Sequence, residues 1–355
     1  MGTERGYKIF KTFPNSESYE KILNGGISIC EMSYKSNFLA LIGGGKLPKY
    51  SNKKVVLYND KKECIESEYK FTTSVINVKF KKNLLFVICE KKIYVFNIEN
   101  SQNIDSFDTI INKRGIIAIN GSPNKTIMAH PIEFEDQPEK AYVGIKNYKT
   151  NKYFPLLVHE EPISNIAFDY NGLLLATSND KGTIIKIHNC VDKTLIYECK
   201  RGKDKTLINY IAFDNEYKYI GASCDRSIIY IWKLDEIIDI KLKKNNTINE
   251  DENNNNEILV KNIENDYVSI EKEDKNKIFN SENNIIFEDE IQIKKIKNYK
   301  SDFYFAKIKV NKPEFIFCFQ PVNLVIIISS DEKYYLSIIE KKKWFLYYNS
   351  RKRFK

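Results

Sequence analysis

Residues 163–200 read ISNIAFDYNGLLLATSNDKGTIIKIHNCVDKTLIYECK. Four runs in this stretch have strand character: Ile163 to Phe168, Leu173 to Ser178, Thr183 to His188 and Thr194 to Cys199. Between them stand Asp169-Tyr170-Asn171-Gly172 and Asn179-Asp180-Lys181-Gly182, both rich in residues that tolerate tight turns. The stretch therefore predicts one four-stranded sheet. The next residues repeat it, with Ile208 to Phe213, Tyr217 to Ser223 and Ser227 to Trp232 as strands and Ile211-Ala212-Phe213-Asp214 mirroring Ile166-Ala167-Phe168-Asp169.

The repeat period is about 45 residues, the size of one blade of a WD-type β-propeller. Weaker copies lie upstream. One runs through Ile27 to Tyr34, Phe38 to Gly43 and Lys54 to Tyr58, a second through Val75 to Phe80, Leu84 to Cys89 and Lys92 to Asn97, and a third through Ile116 to Asn120, Thr126 to His130 and Ala141 to Asn147. Strand character returns at Phe303 to Val310, Phe315 to Phe319, Leu324 to Ser330 and Tyr334 to Glu340. Between these copies, from about Leu234 to Tyr299, the chain is crowded with Asn, Glu, Asp and Lys and is too poor in large apolar residues to sustain a core. Subtracting that insertion leaves about 290 residues, enough for about seven blades. The expectation is an all-β, seven-bladed β-propeller over 25–340, with a long disordered insertion (234–300) in the sixth blade between its third and fourth strands. Residues 1–24 are set apart as an N-terminal segment and 341–355 as a basic, aromatic tail.

Composition narrows the function classes. The chain has 355 residues, 42% of them hydrophobic and 13% aromatic, ample for a core. Its net charge of +9 favours polyanionic partners without choosing among them. The seven cysteines (30, 64, 89, 190, 199, 224 and 318) are scattered and never spaced as a C-x-x-C pair, which argues against a disulfide framework or zinc site and fits a reducing compartment. The first six residues suit neither a signal peptide nor a myristoylation signal. No apolar run reaches a membrane-spanning length, so membrane contact is expected to be peripheral.

No catalytic signature stands out: there is no G-x-S-x-G, no H-E-x-x-H and no carboxylate pair placed for acid–base work. Gly43-Gly44-Gly45-Lys46 resembles a phosphate loop, but Leu47 stands where Ser or Thr should hold magnesium, so a crowded turn is expected. His130, His159 and His188 lie near strand ends without ligands at metal spacing. A non-enzyme with no cofactor and no metal is the expectation. The most unusual feature is a basic turn, Glu198-Cys199-Lys200-Arg201-Gly202-Lys203-Asp204-Lys205. Consecutive side chains of an extended strand point to opposite faces, so Lys200 and Arg201 can serve separate pockets.

Cys30-Glu31-Met32, Phe38 to Tyr50 with its glycine-lysine motif, Lys54 to Asp60, Leu174 to Ser178, Asp180 to Lys186 and the basic turn together resemble the PROPPINs, the autophagy-related seven-bladed propellers that bind phosphoinositides. The resemblance covers nearly the whole chain apart from the insertion and the C-terminal tail. It implies two head-group pockets flanking the turn. For the first, Lys200 is the main cation, with Lys186 as partner, Ser178 and Thr183 as hydroxyl donors and His159 as a further candidate. For the second, Arg201 is the phosphate ligand, helped by Lys203, Lys205 and Arg226, with Ser223 as donor. Two departures bear on affinity. Lys200 stands where the family has arginine, and Cys224-Asp225-Arg226-Ser227-Ile228-Ile229-Tyr230 replaces a Ser-Asp-Lys-Gly-Thr run followed by histidine.

The resemblance further implies a monomer that binds membranes containing phosphatidylinositol 3-phosphate, with the 3,5-bisphosphate as a second candidate. It would be cytoplasmic, peripheral to endosomal, vacuolar or pre-autophagosomal membranes, and would dock autophagy proteins on its blade edges. Nucleic acid is not an expected partner. The rival reading is a protein-interaction scaffold that kept the fold and lost the lipid. In the insertion, Ile278, Phe279, Ile285, Ile286, Phe287, Ile291, Ile293 and Ile296 could line an interfacial helix, or the segment is a spacer. Lys341 to Tyr348 and Arg351-Lys352-Arg353 read as the end of a blade followed by solvated cations.

Overall fold

The computed structural model of the chain describes residues 1–11, 17–33, 36–214, 218–225, 227–234, 291–295, 306–310, 315–320, 324–329, 334–338 and 346–348. Among them the strands gather into seven antiparallel sheets. The first holds β1 (Gly2–Thr3), β2 (Gly6–Lys11) and β3 (Glu17–Ile22); the second β4 (Ile27–Met32), β5 (Phe38–Gly43), β6 (Lys54–Asn59) and β7 (Cys64–Lys70). The third holds β8 (Val75–Lys81), β9 (Leu84–Cys89), β10 (Lys92–Asn97) and β11 (Gln102–Asp108); the fourth β12 (Ala118–Ile119), β13 (Ile127–Ile132), β14 (Ala141–Asn147) and β15 (Lys152–His159). The fifth is β16 (Ile163–Phe168), β17 (Leu174–Asn179), β18 (Ile184–Asn189) and β19 (Leu195–Lys200). The sixth has five strands, β20 (Ile208–Phe213), β21 (Tyr219–Cys224), β22 (Ile228–Lys233), β23 (Ile291–Lys295) and β24 (Ala306–Val310); the seventh is β25 (Phe315–Gln320), β26 (Leu324–Ser329), β27 (Tyr334–Ile338) and β28 (Leu346–Tyr348).

This is the seven-bladed propeller expected from the repeat, and its boundaries correct three assignments. Residues 1–24 are not a free segment, because β1–β3 form the first blade and dock on the second through Tyr7 and Tyr19, whose hydroxyls both donate to Asp60. Ile291–Lys295, read on sequence as part of the insertion, is a strand on the outer edge of the sixth sheet, where it pairs with β24. Leu346–Tyr348, left outside the propeller by the boundary at 340 although read as the end of a blade, pairs with β27 and completes the seventh sheet. The sixth blade's β22 pairs with β24 across the chain interruption, as the repeat count implied. Residues 235–290, with the candidate apolar residues from Ile278 to Phe287, lie outside the described residues.

Burial explains the strand sequences. The second strand of a blade is covered on both faces by neighbouring blades, so it reads as a continuous apolar run: Leu84–Cys89 is LLFVIC with five of six residues buried. The outermost strands β7 and β11 are largely exposed and correspondingly polar. The core is therefore a series of interblade clusters. One, between the fifth and sixth sheets, packs Ala176, Ile185, Ile187 and Cys199 against Ile220, Ala222, Ile228 and Trp232.

Turn chemistry repeats with the blades. Asp169 accepts from the Leu174 amide at 2.7 Å and Asp214 from the Tyr219 amide at 2.9 Å, which is why Ile-Ala-Phe-Asp recurs. A further repeat is geometric. The innermost strand carries a register shift near its start in four blades: at Ile27/Ile29, Val75/Asn77, Ile163/Asn165 and Ile208/Tyr210. The Gly43–Gly45 segment is the crowded turn anticipated, since a Cβ on Gly43 would lie 1.7 Å from the Tyr50 carbonyl oxygen.

Candidate functional site

The candidate site lies where the β17–β18 turn meets the end of β19. Register fixes what each strand presents. Thr177 pairs with Lys186, Lys186 with Glu198, and Ile184 with Lys200. Cross-strand partners share a face, so Thr177, Lys186, Glu198 and Lys200 project from one side of the fifth sheet. That side looks toward the fourth blade, because its Leu175 packs in the cluster containing Val143, Ile145 and Val158. His159, at the end of β15, closes the group with Nε2 3.1 Å from Thr177 Oγ1. Lys186 and Lys200 are both half-buried.

Two histidines stand behind these cations. His159 is 3% exposed, and burial lowers its pKa to about 4, with the Lys186 charge adding to the effect. His188, two residues along β18, is lowered to about 4 by burial and then by His159 and Lys186. Its Nδ1 has no hydrogen-bond partner among the described residues. Both rings are neutral near pH 7, so the positive charge of this face belongs to the lysines.

The opposite face differs from expectation. Ser178 pairs with Ile185, and Ile185 with Cys199, so Ser178 points away from Lys186. It is fully buried and shares a 2.8 Å hydrogen bond with Ser164 Oγ. Thr177, not Ser178, is therefore the hydroxyl beside the cations. Sequence reading placed both residues in the strand but weighed no parity between them. Thr183 is half-buried in the turn, and its carbonyl accepts from the Arg201 amide at 2.8 Å.

Arg201 follows Lys200 and, as alternation requires, faces the sixth blade. It is 6% exposed. Its Nε donates to the Gly182 carbonyl at 2.5 Å, and Nη2 donates to the Asp204 carbonyl. The guanidinium carbon lies 5.9 Å from the Tyr230 ring centre, within cation–π range. Burial pushes the nearby Cys224 thiol up to about 11, with Arg201 opposing. The residue thus ties the β17–β18 turn to the β19–β20 connection.

The sixth sheet does not repeat the first group. Ala222 pairs with Tyr230, as Thr177 pairs with Lys186 in the fifth sheet. Ser223 pairs with Ile229 and Tyr210, so it lies on the face turned away from Arg201. Its Oγ is buried without a partner among the described residues. Lys203 and Lys205 are exposed on the connection, and Arg226 lies outside the described residues. Lys309 of β24, opposite Ile228, is an exposed cation that sequence reading passed over, because its pairing spans the interruption. Beside these residues a cleft of about 340 Å³ is lined by Arg114, Asp180, Lys205, Thr206, Leu207 and Asp225. Arg114 pairs with Asp180 at 3.3 Å.

Among the described residues no cluster of His, Cys, Asp or Glu has metal-binding geometry, all seven cysteines are free thiols, and no helix is long and apolar enough to cross a membrane. What the Lys186–Lys200 face can do is recognise an anion, through two half-buried ammonium groups.

Comparison with known proteins agrees with this architecture. The PROPPIN family model matches residues 1–251. Autophagy-related protein 18 of Komagataella pastoris is 27% identical over 267 residues, covering 66% of this chain and 49% of that protein. Autophagy-related protein 18e of Arabidopsis thaliana is 27% identical, covering 66% of this chain and 62% of that protein. The chain thus spans between half and two thirds of the length of these relatives. Among solved structures, Kluyveromyces lactis Hsv2 superposes with a TM-score of 0.63 at 13% identity, covering 98% of this chain and 92% of that one. A complex of KlAtg21 with the coiled coil of AgAtg16 superposes with a TM-score of 0.59 at 16% identity, covering 96% of this chain and 89% of that one.

Proposed function

Because the chain belongs to the PROPPIN family, we propose that it is a peripheral membrane protein that reads a 3-phosphorylated phosphoinositide, phosphatidylinositol 3-phosphate or the 3,5-bisphosphate. The observation that carries the reading is the placement of Lys186 and Lys200 on one sheet face, beside the neutral His159 that Thr177 holds. Two ammonium groups meet a phosphate as point charges with freely rotating donors. The Thr177 hydroxyl is fully buried and holds His159 behind the two cations, and recognition here needs no bond-making chemistry. Lys203, Lys205 and Lys309, exposed nearby, attract an anionic leaflet before any head group is engaged.

The relatives' names place those proteins in autophagy. The same role is proposed for this chain, with protein partners on the outer blade edges, where β7 and β11 expose Ile65 and Ile104. Membrane recruitment is tested by vesicle co-sedimentation at physiological salt. Wild type is expected to pellet with vesicles carrying phosphatidylinositol 3-phosphate, and a Lys186→Gln, Lys200→Gln double variant is expected to stay in the supernatant. Equal pelleting with every anionic vesicle, unchanged in the variant, would leave a scaffold that does not read the head group.

A further inference from the structure

The turn joining β18 to β19 presents an apolar residue where its sister turns present charge, and we infer that it is an insertion point, entering a phospholipid surface at Val191. The inference rests on the head-group reading above and adds a contact of a different kind, apolar and at the far end of β19 from the basic turn.

Among the described residues, four blades close their third and fourth strands with the same turn. Each begins with an asparagine, Asn59, Asn97, Asn147 or Asn189, and four residues later Glu63, Ser101, Asn151 or Lys193 adopts a left-handed φ of 54°, 55°, 53° or 63°. In three of them the asparagine side-chain oxygen accepts from the amide two residues on, from Glu99 at 3.0 Å, Lys149 at 3.0 Å and Val191 at 2.8 Å. The matching tip position therefore holds Lys61, Glu99, Lys149 and Val191, all exposed. The frame needs no valine there, since three other turns form with a charged side chain in its place. Val191 is nonetheless 74% exposed.

The turn is also built to shed water. The Asp192 carboxylate accepts from the Thr194 amide at 2.9 Å, the Thr194 hydroxyl at 2.6 Å and Asn189 Nδ2 at 3.2 Å. The Asn189 amide donates to the Thr194 carbonyl at 2.9 Å. Polar groups satisfied within the turn lower the cost of desolvating it. Lys193 Nζ lies 4.8 Å from the centre of the Phe154 ring, which seats the turn against the fourth blade. An apolar tip beside a cation suits the boundary between acyl chains and phosphates. Leu195, 44% exposed, extends the apolar surface; it stands opposite His188, two residues from Lys186 on the same face. From Leu195 to Lys200 the strand rises about 17 Å, at about 3.4 Å per residue. A blade lying with β19 along a membrane thus meets it at Lys200 and at Val191, whereas a soluble head group engages only the first.

The test separates the two contacts. Wild type and Val191→Gln are titrated with phosphatidylcholine vesicles doped with phosphatidylinositol 3-phosphate, and separately with inositol 1,3-bisphosphate, which offers no membrane to enter. Val191→Gln is expected to weaken vesicle binding about tenfold, in keeping with the transfer of a valine side chain out of water, and to leave head-group affinity and the melting midpoint unchanged. Val191→Trp is expected to show a blue shift on vesicles and quenching by brominated acyl chains beyond that of wild type. Glu99→Trp, at the same place in the third blade, should show neither. An unquenched Val191→Trp on vesicles that carry the protein down, or a Val191→Gln that binds vesicles like wild type, would overturn the insertion and leave the head-group reading standing. Loss of head-group affinity in Val191→Gln would make the turn a support of that site, which also overturns the insertion. A wild type that binds neither vesicles nor head group would remove the reading and the inference together.

Discussion

Acidification should destabilise this propeller through its three buried histidines. His130, His159 and His188 are all buried, and burial lowers each to a pKa of about 4 from an ordinary value of 6.5. A histidine whose folded pKa is depressed takes up its proton more readily in the unfolded chain. Stability is therefore complete above pH 6.5 and is lost as pH falls toward 4. The gap corresponds to about 3 kcal/mol for each ring. Three rings acting together give a slope of about 4 kcal/mol per pH unit and a total near the whole stability of a typical domain, about 5–15 kcal/mol. Glu66 and Glu161 are held below the ordinary carboxylate range by hydrogen bonds, so neither adds to the slope between pH 6.5 and 4.5. Urea midpoints at pH 7.5, 6 and 5 measure the effect. His188→Phe, which removes the ring whose Nδ1 lacks a partner among the described residues, should reduce the slope by about a third. Midpoints that coincide at pH 7.5 and 5, or a slope untouched by His188→Phe, would refute the argument.

Other perturbations follow from particular contacts. Thr177→Val leaves His159 Nε2 facing a methyl group and should cost about 1–3 kcal/mol in chemical denaturation. Gly182→Ala combines a φ of +60° with a collision against the Thr206 carbonyl and should lower stability by at least about 2 kcal/mol. Tyr7→Phe removes a hydroxyl that ties the first blade to Asp60 of the second, and amide exchange in β1–β3 should accelerate ahead of the other blades. Lys81, buried against the carbonyls of Asn120 and Gly121, is lowered to about 8 from 10.5. Wild-type stability should therefore rise by up to about 3 kcal/mol relative to Lys81→Met between pH 8 and 10.5, read as the difference in their midpoints.

The repeat from Ile163 to Trp232 was enough to give the blade, its turns and the ring, because each blade's second strand must be apolar on both faces and its turns need Asp and Gly at fixed places. Chain ends were harder. Gly2–Thr3 is too short to show a pattern, and its blade forms through pairing that composition does not reveal; at the other end the aromatics around Leu346–Tyr348 marked a blade's end without marking where the ring closes. At the site, adjacency was legible and orientation was not. The one-residue offset between the expected strand from Leu173 and the observed strand from Leu174 matters less than the parity it conceals, which exchanges Ser178 for Thr177. Arg201 carried a charge in the sequence, and its burial could not be read there, because the acceptors that satisfy it are backbone carbonyls, which every residue possesses. Lys309 was hidden because its partner strand lies some eighty positions earlier in the chain.

The register shift near the start of the innermost strand follows a β-branched residue each time, Ile27, Val75, Ile163 or Ile208, while the residue passed over varies among Ser28, Ile76, Ser164 and Asn209. An extra residue in one strand bends that strand and tightens its twist. Repeated around an axis, it lets long inner strands converge where space is narrowest without jamming their side chains together. The irregularity thus works as a keystone cut, a taper built into each wedge of the ring. Duplicated blades can lose nearly every shared letter and still be phased against one another by where the ladder slips.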